Sequence, residues 1–206
     1  MILGCVTGLE REARIAARAG LIVACEGPGP AAARRAAERL VARGADLLVS
    51  FGYAGGLDPA LPAGTLIVAD RIVDRDGHVT PCRTPAALAD ATVATIVGVD
   101  TPVLDVPAKA ALRRLGGAVD QESHAVARVA LRHGRGVAVV RAVIDAADAI
   151  VPAVAIVGVD AAGRSRPGRI CAGLLGAPWE LPALVRLAFA AVRADRALAA
   201  AAVRLA

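Results

Sequence analysis

An α/β fold is what this sequence predicts: a central mixed β-sheet flanked by helices on both faces. Three observations predict it. Short apolar segments alternate with amphipathic ones through the first third of the chain, which places helices over a largely parallel sheet. Glycines and prolines fall between the segments, as at Gly20, Gly44 and the EGPGP loop. A length of 206 residues, 56% of them hydrophobic with alanine prominent, suits one domain, 1–206, with a sizeable core.

The elements follow in order. ILGCVTG (2–8) reads as a strand and LEREARIAARAG (9–20) as a helix ended by Gly20. LIVAC (21–25) is a strand, and AAARRAAERLVARG (31–44) a helix ended by Gly44. DLLVSFG (46–52) is a strand that leads into a glycine-rich turn, YAGG. TLIVADRIVD (65–74) and GHV (77–79) are strands joined by a tight turn, which makes the sheet mixed. Within 84–116, TVATIVGV is apolar and β-branched, whereas VPAKAALRRLGG is helical. GAVDQ (117–121) is a short strand, ESHAVARVALRHG (122–134) a helix and GVAVVRAVID (136–145) a strong strand. From Pro178 the chain reads as one long helix. It contains no internal repeat and no linker.

Composition excludes several classes. The longest apolar run, AIVPAVAIVGV (149–159), is too short for a bilayer and is interrupted by Pro152. The N-terminus has no basic region before an apolar stretch, so no signal peptide is expected and the location is cytoplasmic. The net charge is +5, but the basic residues are scattered among acids, and aromatic stacking platforms are nearly absent, which excludes nucleic acid as the partner. All but one of the 24 basic residues are arginine; Lys109 is the lysine. Cys5, Cys25, Cys82 and Cys171 form no C-x-x-C pair and are expected to be reduced and structural.

Gly27, Gly29 and Ala32 imitate a dinucleotide fingerprint. Pro28 and Pro30 supply no N–H to a pyrophosphate, and no acid ends the next strand for a ribose, so a plain turn into a helix is the reading. His78, His124 and His133 have no metal-ligand spacing; His133 suits a helix end, and His124 reads as a helix-surface histidine. No cofactor and no metal are expected. The carboxylates carry more. Glu12 and Glu122 each open a helix after a strand, and Asp145 ends a strand. In an α/β sheet those positions rim the ligand crevice, so three acids converge beside the glycine-rich turn.

Five segments in order carry a resemblance: VTGLEREARIA, GPGPAAARRAAERL, VSFGYAGGLDPALPAGTLIV, AVDQESHAVARVA and VVRAVIDAAD. Together they resemble the purine nucleoside phosphorylase and methylthioadenosine/adenosylhomocysteine nucleosidase superfamily, over about residues 2 to 148. The chain looks most like its hopanoid-associated phosphorylase branch, which is linked to removal of adenine from adenosylhopane. The resemblance implies cleavage of the N-glycosidic bond of a 5′-modified adenosine by a homodimer. It implies that Asp145 binds adenine and supplies the N7 proton, that Glu122 binds ribose hydroxyls, and that Glu12 orients an attacking water. It places Tyr53, Ala54 and Gly55 against the ribose and Val103 against the base. Tyr53 replaces a small serine and is expected to shape the pocket wall, or to pack there with its hydroxyl in water. Gln121 replaces methionine beside the sugar, and Ile144 replaces the serine before the catalytic aspartate. These two departures keep open a weakly catalytic nucleoside- or lipid-binding scaffold. Phosphate as co-substrate also stays open: the phosphorylases' arginine near the turn is missing here, and Arg11, Arg34 or Arg35 would have to replace it. With Glu12 present, water is the favoured nucleophile. A lipid-linked substrate implies a peripheral membrane contact for the C-terminal helix, whose arginines otherwise face water while it packs on the sheet.

Overall fold

The computed structural model describes residues 1–206. Its strands are β1 (Leu3–Thr7), β2 (Ile22–Cys25), β3 (Leu47–Gly56), β4 (Leu66–Asp74), β5 (Val79–Pro81), β6 (Thr92–Gly98), β7 (Ala118–Asp120) and β8 (Gly136–Asp145). Its helices are α1 (Glu10–Arg18), α2 (Pro30–Ala42), α3 (Val106–Leu112), α4 (Ser123–Arg132), α5 (Ala153–Val157), α6 (Pro167–Gly176) and α7 (Leu181–Leu205). The mixed sheet runs β2-β1-β3-β7-β6-β4-β5, and β8 pairs with both β3 and β4. Strands β3, β8, β4, β6 and β7 therefore close into a ring, with β1 and β2 extending it as an open wing. A simple open sheet would give β3 and β4 two partners each, whereas each has three. They reach them because both are long and irregular, with register shifts after Ala54 and after Ala69 that bend each strand between neighbours.

The stretch SFGYAGG is not a turn. β3 continues through Gly56, pairing Gly55 and Gly56 with β7 and Gly55 with Asp145 of β8. Phe51 and Tyr53 lie two apart and so point to the same face. That face is covered by α7, whose Ala194, Leu198, Ala201 and Ala202 are buried with Phe51. Small alanines on the helix leave room for the aromatic rings. The opposite face carries α2 and α4, packed through Ala33, Leu40, Val126 and Val129 against Val6 and Leu48. Helices thus cover both faces, as the alternation predicts. The sequence reading missed α5 and α6, because Pro152, Pro167 and several glycines break up the apolar period there.

Leu198 is fully buried at the α7–sheet junction. Leu198→Ala should cost about 2–5 kcal/mol, read as a lower urea midpoint with an unchanged slope.

Candidate active site

The ends of β1, β6, β7 and β8 and the bend in β3 surround a cavity of about 490 Å³, a size ordinary for small-molecule sites. Every residue expected at the site lines it: Glu12, Tyr53, Ala54, Gly55, Val103, Gln121, Glu122 and Asp145. One half of the wall is acidic, and the other is apolar, with Ile144, Val151, Ile156, Val159 and Leu187.

Glu12 is the third residue of α1, and its Oε2 turns back to accept from the backbone N–H of Gly8 (3.1 Å) and Leu9 (2.8 Å). This is the glutamate half of a capping box, since the N-cap Leu9 has no side-chain oxygen. Its Oε1 accepts from the Tyr53 N–H at 2.8 Å. A Cβ on Gly52 would lie 2.3 Å from that Oε1 and 2.8 Å from Arg141 Nη1, so only glycine admits the carboxylate here. Burial pushes the Glu12 carboxyl up to about 7, against the pull of Arg141 and with a further push from Glu122. Glu122 forms the N-cap of α4. Its Oε1 accepts from Gly29 N–H (3.0 Å), and its Oε2 meets Arg141 Nη2 at 3.3 Å. Burial raises this carboxyl as well, opposed by Arg141. The Gly29 donor is therefore spent on the protein's own carboxylate, consistent with a plain turn rather than a pyrophosphate cradle.

Sequence reasoning missed the residue at the centre, Arg141 of β8, whose side chain is 1% exposed. Its Nε meets Asp120 Oδ2 at 2.7 Å, its Nη2 reaches Ser50 Oγ at 2.7 Å and Ser123 Oγ at 3.3 Å, and its Nη1 donates to Tyr53 O at 3.2 Å. Burial disfavours its charge, but Asp120, Glu122 and Glu12 outweigh that and hold the guanidinium protonated. An arginine inside the apolar run GVAVVRAVID was the signal, because a charge in such a strand must be paired. Asp120, at the end of β7, also accepts from the N–H of Glu122 (3.2 Å) and Ser123 (3.0 Å), fixing the start of α4. Lys109 of α3 was noted as the lone lysine and given no role. It is fully buried, with Nζ 2.5 Å from Asp145 Oδ2. Burial raises Asp145 to about 6, and Lys109 pulls the other way.

Other expectations need correction. His124 is buried, not on the surface, with Nε2 3.0 Å from Asp100 Oδ1. The Tyr53 hydroxyl is bonded to Asp195 of α7 rather than left in water. Arg11 is tied to the same Asp195, and Arg34 and Arg35 are exposed on α2, so none of the three reaches the cavity. His133 ends α4, paired with Glu38 at 2.8 Å. Asp74, Asp76 and His78 cluster closely enough to suggest a cation site. Asp74 is instead occupied by Arg128 (2.9 Å) and by the N–H groups of Asp76 and His78, which close the β4–β5 turn. All four cysteines are free; burial pushes the Cys5 thiol up to about 12 and makes it inert.

Comparison with known proteins gives the family and the fold. The profile of the phosphorylase superfamily matches residues 14–175. No curated protein matches the chain in sequence. Among solved structures, the chain is similar to futalosine hydrolase of Helicobacter pylori at 18% identity and a TM-score of 0.64, covering 71% of this chain and 85% of that one. It is also similar to the 5′-methylthioadenosine/S-adenosylhomocysteine nucleosidase of Neisseria meningitidis in complex with methylthio-immucillin-A. There the identity is 21% and the TM-score 0.64, over 71% of this chain and 86% of that one. These likenesses establish the fold.

The raised Glu12 carboxyl links stability to pH. Its folded pKa lies above the unfolded value, so its contribution is fully present below about 4.5 and is lost as pH rises through about 7. Glu12→Gln should abolish that dependence. Urea unfolding at pH 4.5 and pH 8 should show the wild type losing on the order of 3 kcal/mol relative to the variant.

Proposed function

The chain belongs to the phosphorylase superfamily, and from that premise we propose that it hydrolyses the N-glycosidic bond of a 5′-modified adenosine, releasing adenine. The observation that carries this reading is the charge of the cavity wall. Five acids line it, Glu12, Asp120, Glu122, Asp145 and Asp160, and no lysine or arginine does. Departure of the base leaves positive charge on the ribose, and an acidic wall stabilises that charge more in the transition state than in the ground state. Asp145, with a carboxyl raised to about 6, is suited to protonate the leaving base at N7. Glu12, raised to about 7, can take a proton from an attacking water. Glu122 lines the same wall, and in this reading it accepts from ribose hydroxyls. The same wall disfavours phosphate as nucleophile: an anion would enter among carboxylates, and Arg141 has already spent its donors on Asp120, Glu122, two serines and a carbonyl.

The apolar half of the cavity suits a large apolar 5′-substituent, and adenosylhopane is the substrate we favour. Its roof is made by α5 and the first turns of α7, where Ile156 lines the cavity and is also 42% exposed. Leu175 of α6, Trp179 in the turn after it, and Val185 and Phe189 of α7 are exposed apolar side chains as well. Leu181, Val185, Phe189 and Val192 form a stripe on α7 opposite its buried alanines. Arg186 and Arg196 on the same helix, and Arg169 on α6, are exposed without an acidic partner. No single helix is long and apolar enough to cross a membrane. An apolar stripe flanked by arginines suits contact with an anionic lipid surface from which such a substrate is drawn.

Purified protein should release adenine from adenosylhopane in detergent, faster than from adenosine and at a rate independent of phosphate. Asp145→Asn should lower kcat by roughly 10²–10⁴-fold. Release only with phosphate would overturn hydrolysis, and binding of an adenosine analogue without turnover by the wild type would establish the scaffold instead.

Trp179 is the only tryptophan and is 74% exposed, so its emission reports on the apolar surface. It should shift to the blue with phosphatidylglycerol vesicles, less with phosphatidylcholine vesicles, and not at all in Phe189→Ser/Leu175→Ser. A blue shift that follows protein concentration without vesicles would assign the surface to a second copy of the chain.

A further inference from the structure

We infer that Lys109 is the positioning residue for Asp145, fixing which carboxylate oxygen faces the cavity; this deepens the hydrolase reading and rests on it. Three oxygens converge on the Lys109 ammonium. They are Asp145 Oδ2 at 2.5 Å, the carbonyl of Ala146 at 2.7 Å and the carbonyl of Ala149 at 2.8 Å. The two carbonyls accept hydrogen bonds from the ammonium and the carboxylate pairs with its charge, so three oxygens meet one compact cation. A side chain that is 1% exposed keeps its charge only with such partners. The geometry also explains why the one lysine among 24 basic residues stands at this position. Three acceptors around a point suit a compact charge, whereas a planar guanidinium would address them in a fork.

The consequence for Asp145 is asymmetric. Oδ2 is taken by the ammonium, while Oδ1 has no protein partner and Asp145 lines the cavity. Gly55 leaves the room the carboxyl needs: a Cβ there would lie 3.2 Å from Oδ2 and 3.7 Å from Oδ1. The carboxyl is therefore held in one rotation, with Oδ1 as the oxygen that carries a proton to a leaving base. When that proton departs, the negative charge on the carboxylate forms beside an ammonium already in place, so the product of the proton transfer is stabilised without rearrangement. Lys109 is the charged group that faces Asp145; the β3 residues packed on it, Gly55 and Gly56, are uncharged.

The same contacts tie the site to its rim. Ala146 and Ala149 belong to the segment after β8, and Val151 N–H donates to Leu104 O at 2.9 Å just beyond it. One side chain on α3 thus sets both the acid and the loop that leads into the α5 roof.

The test combines kinetics with a direct titration. In Lys109→Met, kcat should fall at least about tenfold while KM stays within about threefold, because the acid and not the binding surface is disturbed. The Asp145 carboxyl should then titrate about one unit or more higher, since its opposite charge is gone. This is read by carbon-13 NMR of aspartate-labelled protein, with the resonance assigned by its loss in Asp145→Asn. The alkaline limb of kcat/KM should move up with it. Lys109→Arg keeps the cation, so its Asp145 titration should stay near the wild-type position while kcat is still reduced. An unmoved Asp145 titration in Lys109→Met, or wild-type kcat in either variant, overturns the proposal. If Lys109→Met does not fold, Lys109→Arg decides through kcat. A wild type that releases no base from any adenosine overturns the hydrolase reading instead, and the titration still decides whether Lys109 governs Asp145.

Discussion

The buried guanidinium of Arg141 is the constraint on which the rest depends. One positive charge sits among three carboxylates, Asp120, Glu122 and Glu12. Without it, burying three acids at the end of a sheet would cost far more than folding can supply. With it, the count is still one positive against three negative, so the cluster as a whole disfavours full ionisation. Burial is the main cause of the raised Glu12 carboxyl, at about 7, with Arg141 pulling it down and Glu122 adding a smaller push. The site therefore keeps an acid poised near neutrality and a surplus of negative charge, both properties that cleavage of a glycosidic bond uses. The guanidinium also spans β8, β3, β7 and α4 through its bonds to Tyr53 O, Ser50, Asp120 and Ser123. Removing it would loosen four elements at once.

Glycine makes the clustering sterically feasible. Carboxylates can approach the strands only where no Cβ stands in the way. Gly52 admits Glu12, Gly8 admits Glu122 at what would be 2.9 Å from a Cβ, and Gly55 admits Asp145. The glycines of SFGYAGG thus serve a strand rather than a turn, and they let β3 bend between β8 and β7. Phe51 and Tyr53 alternate with them and point away, into the alanine face of α7. The aromatic residues anchor the strand from one side so that its other side can be bare backbone.

Much of this was legible in the sequence because it rests on local pattern. Alternating apolar and amphipathic segments give the strands and helices, and acids just after strand ends mark the crevice. Closure of the sheet into a ring was not legible: it depends on β8 pairing with both β3 and β4, a contact between distant segments that periodicity does not encode. The partners of the acids were hidden for a related reason. Lys109 and Asp145 lie on separate elements, and only the fold brings them to 2.5 Å. Arg141 could have been suspected from the cost of an unpaired charge in an apolar strand. His124 misled because a helix surface is the usual place for such a residue, whereas α4 is buried along much of its length.

The two halves of the cavity answer different requirements. The acidic half is rigid: its oxygens are held by backbone N–H groups of Gly8, Leu9, Tyr53 and Gly29 and by two buried cations. Preorganisation there is what an electrostatic transition state requires, because dipoles that must reorient lose the advantage they give. The apolar half is built from the short helix α5 and the start of α7, segments whose outer faces carry exposed Ile156, Val185 and Phe189. Apolar contact is non-directional and tolerates small displacements that hydrogen bonds do not. The substrate proposed above, a nucleoside with a bulky apolar 5′ group, would meet both requirements, with its sugar and base in the fixed half and its tail against the apolar half.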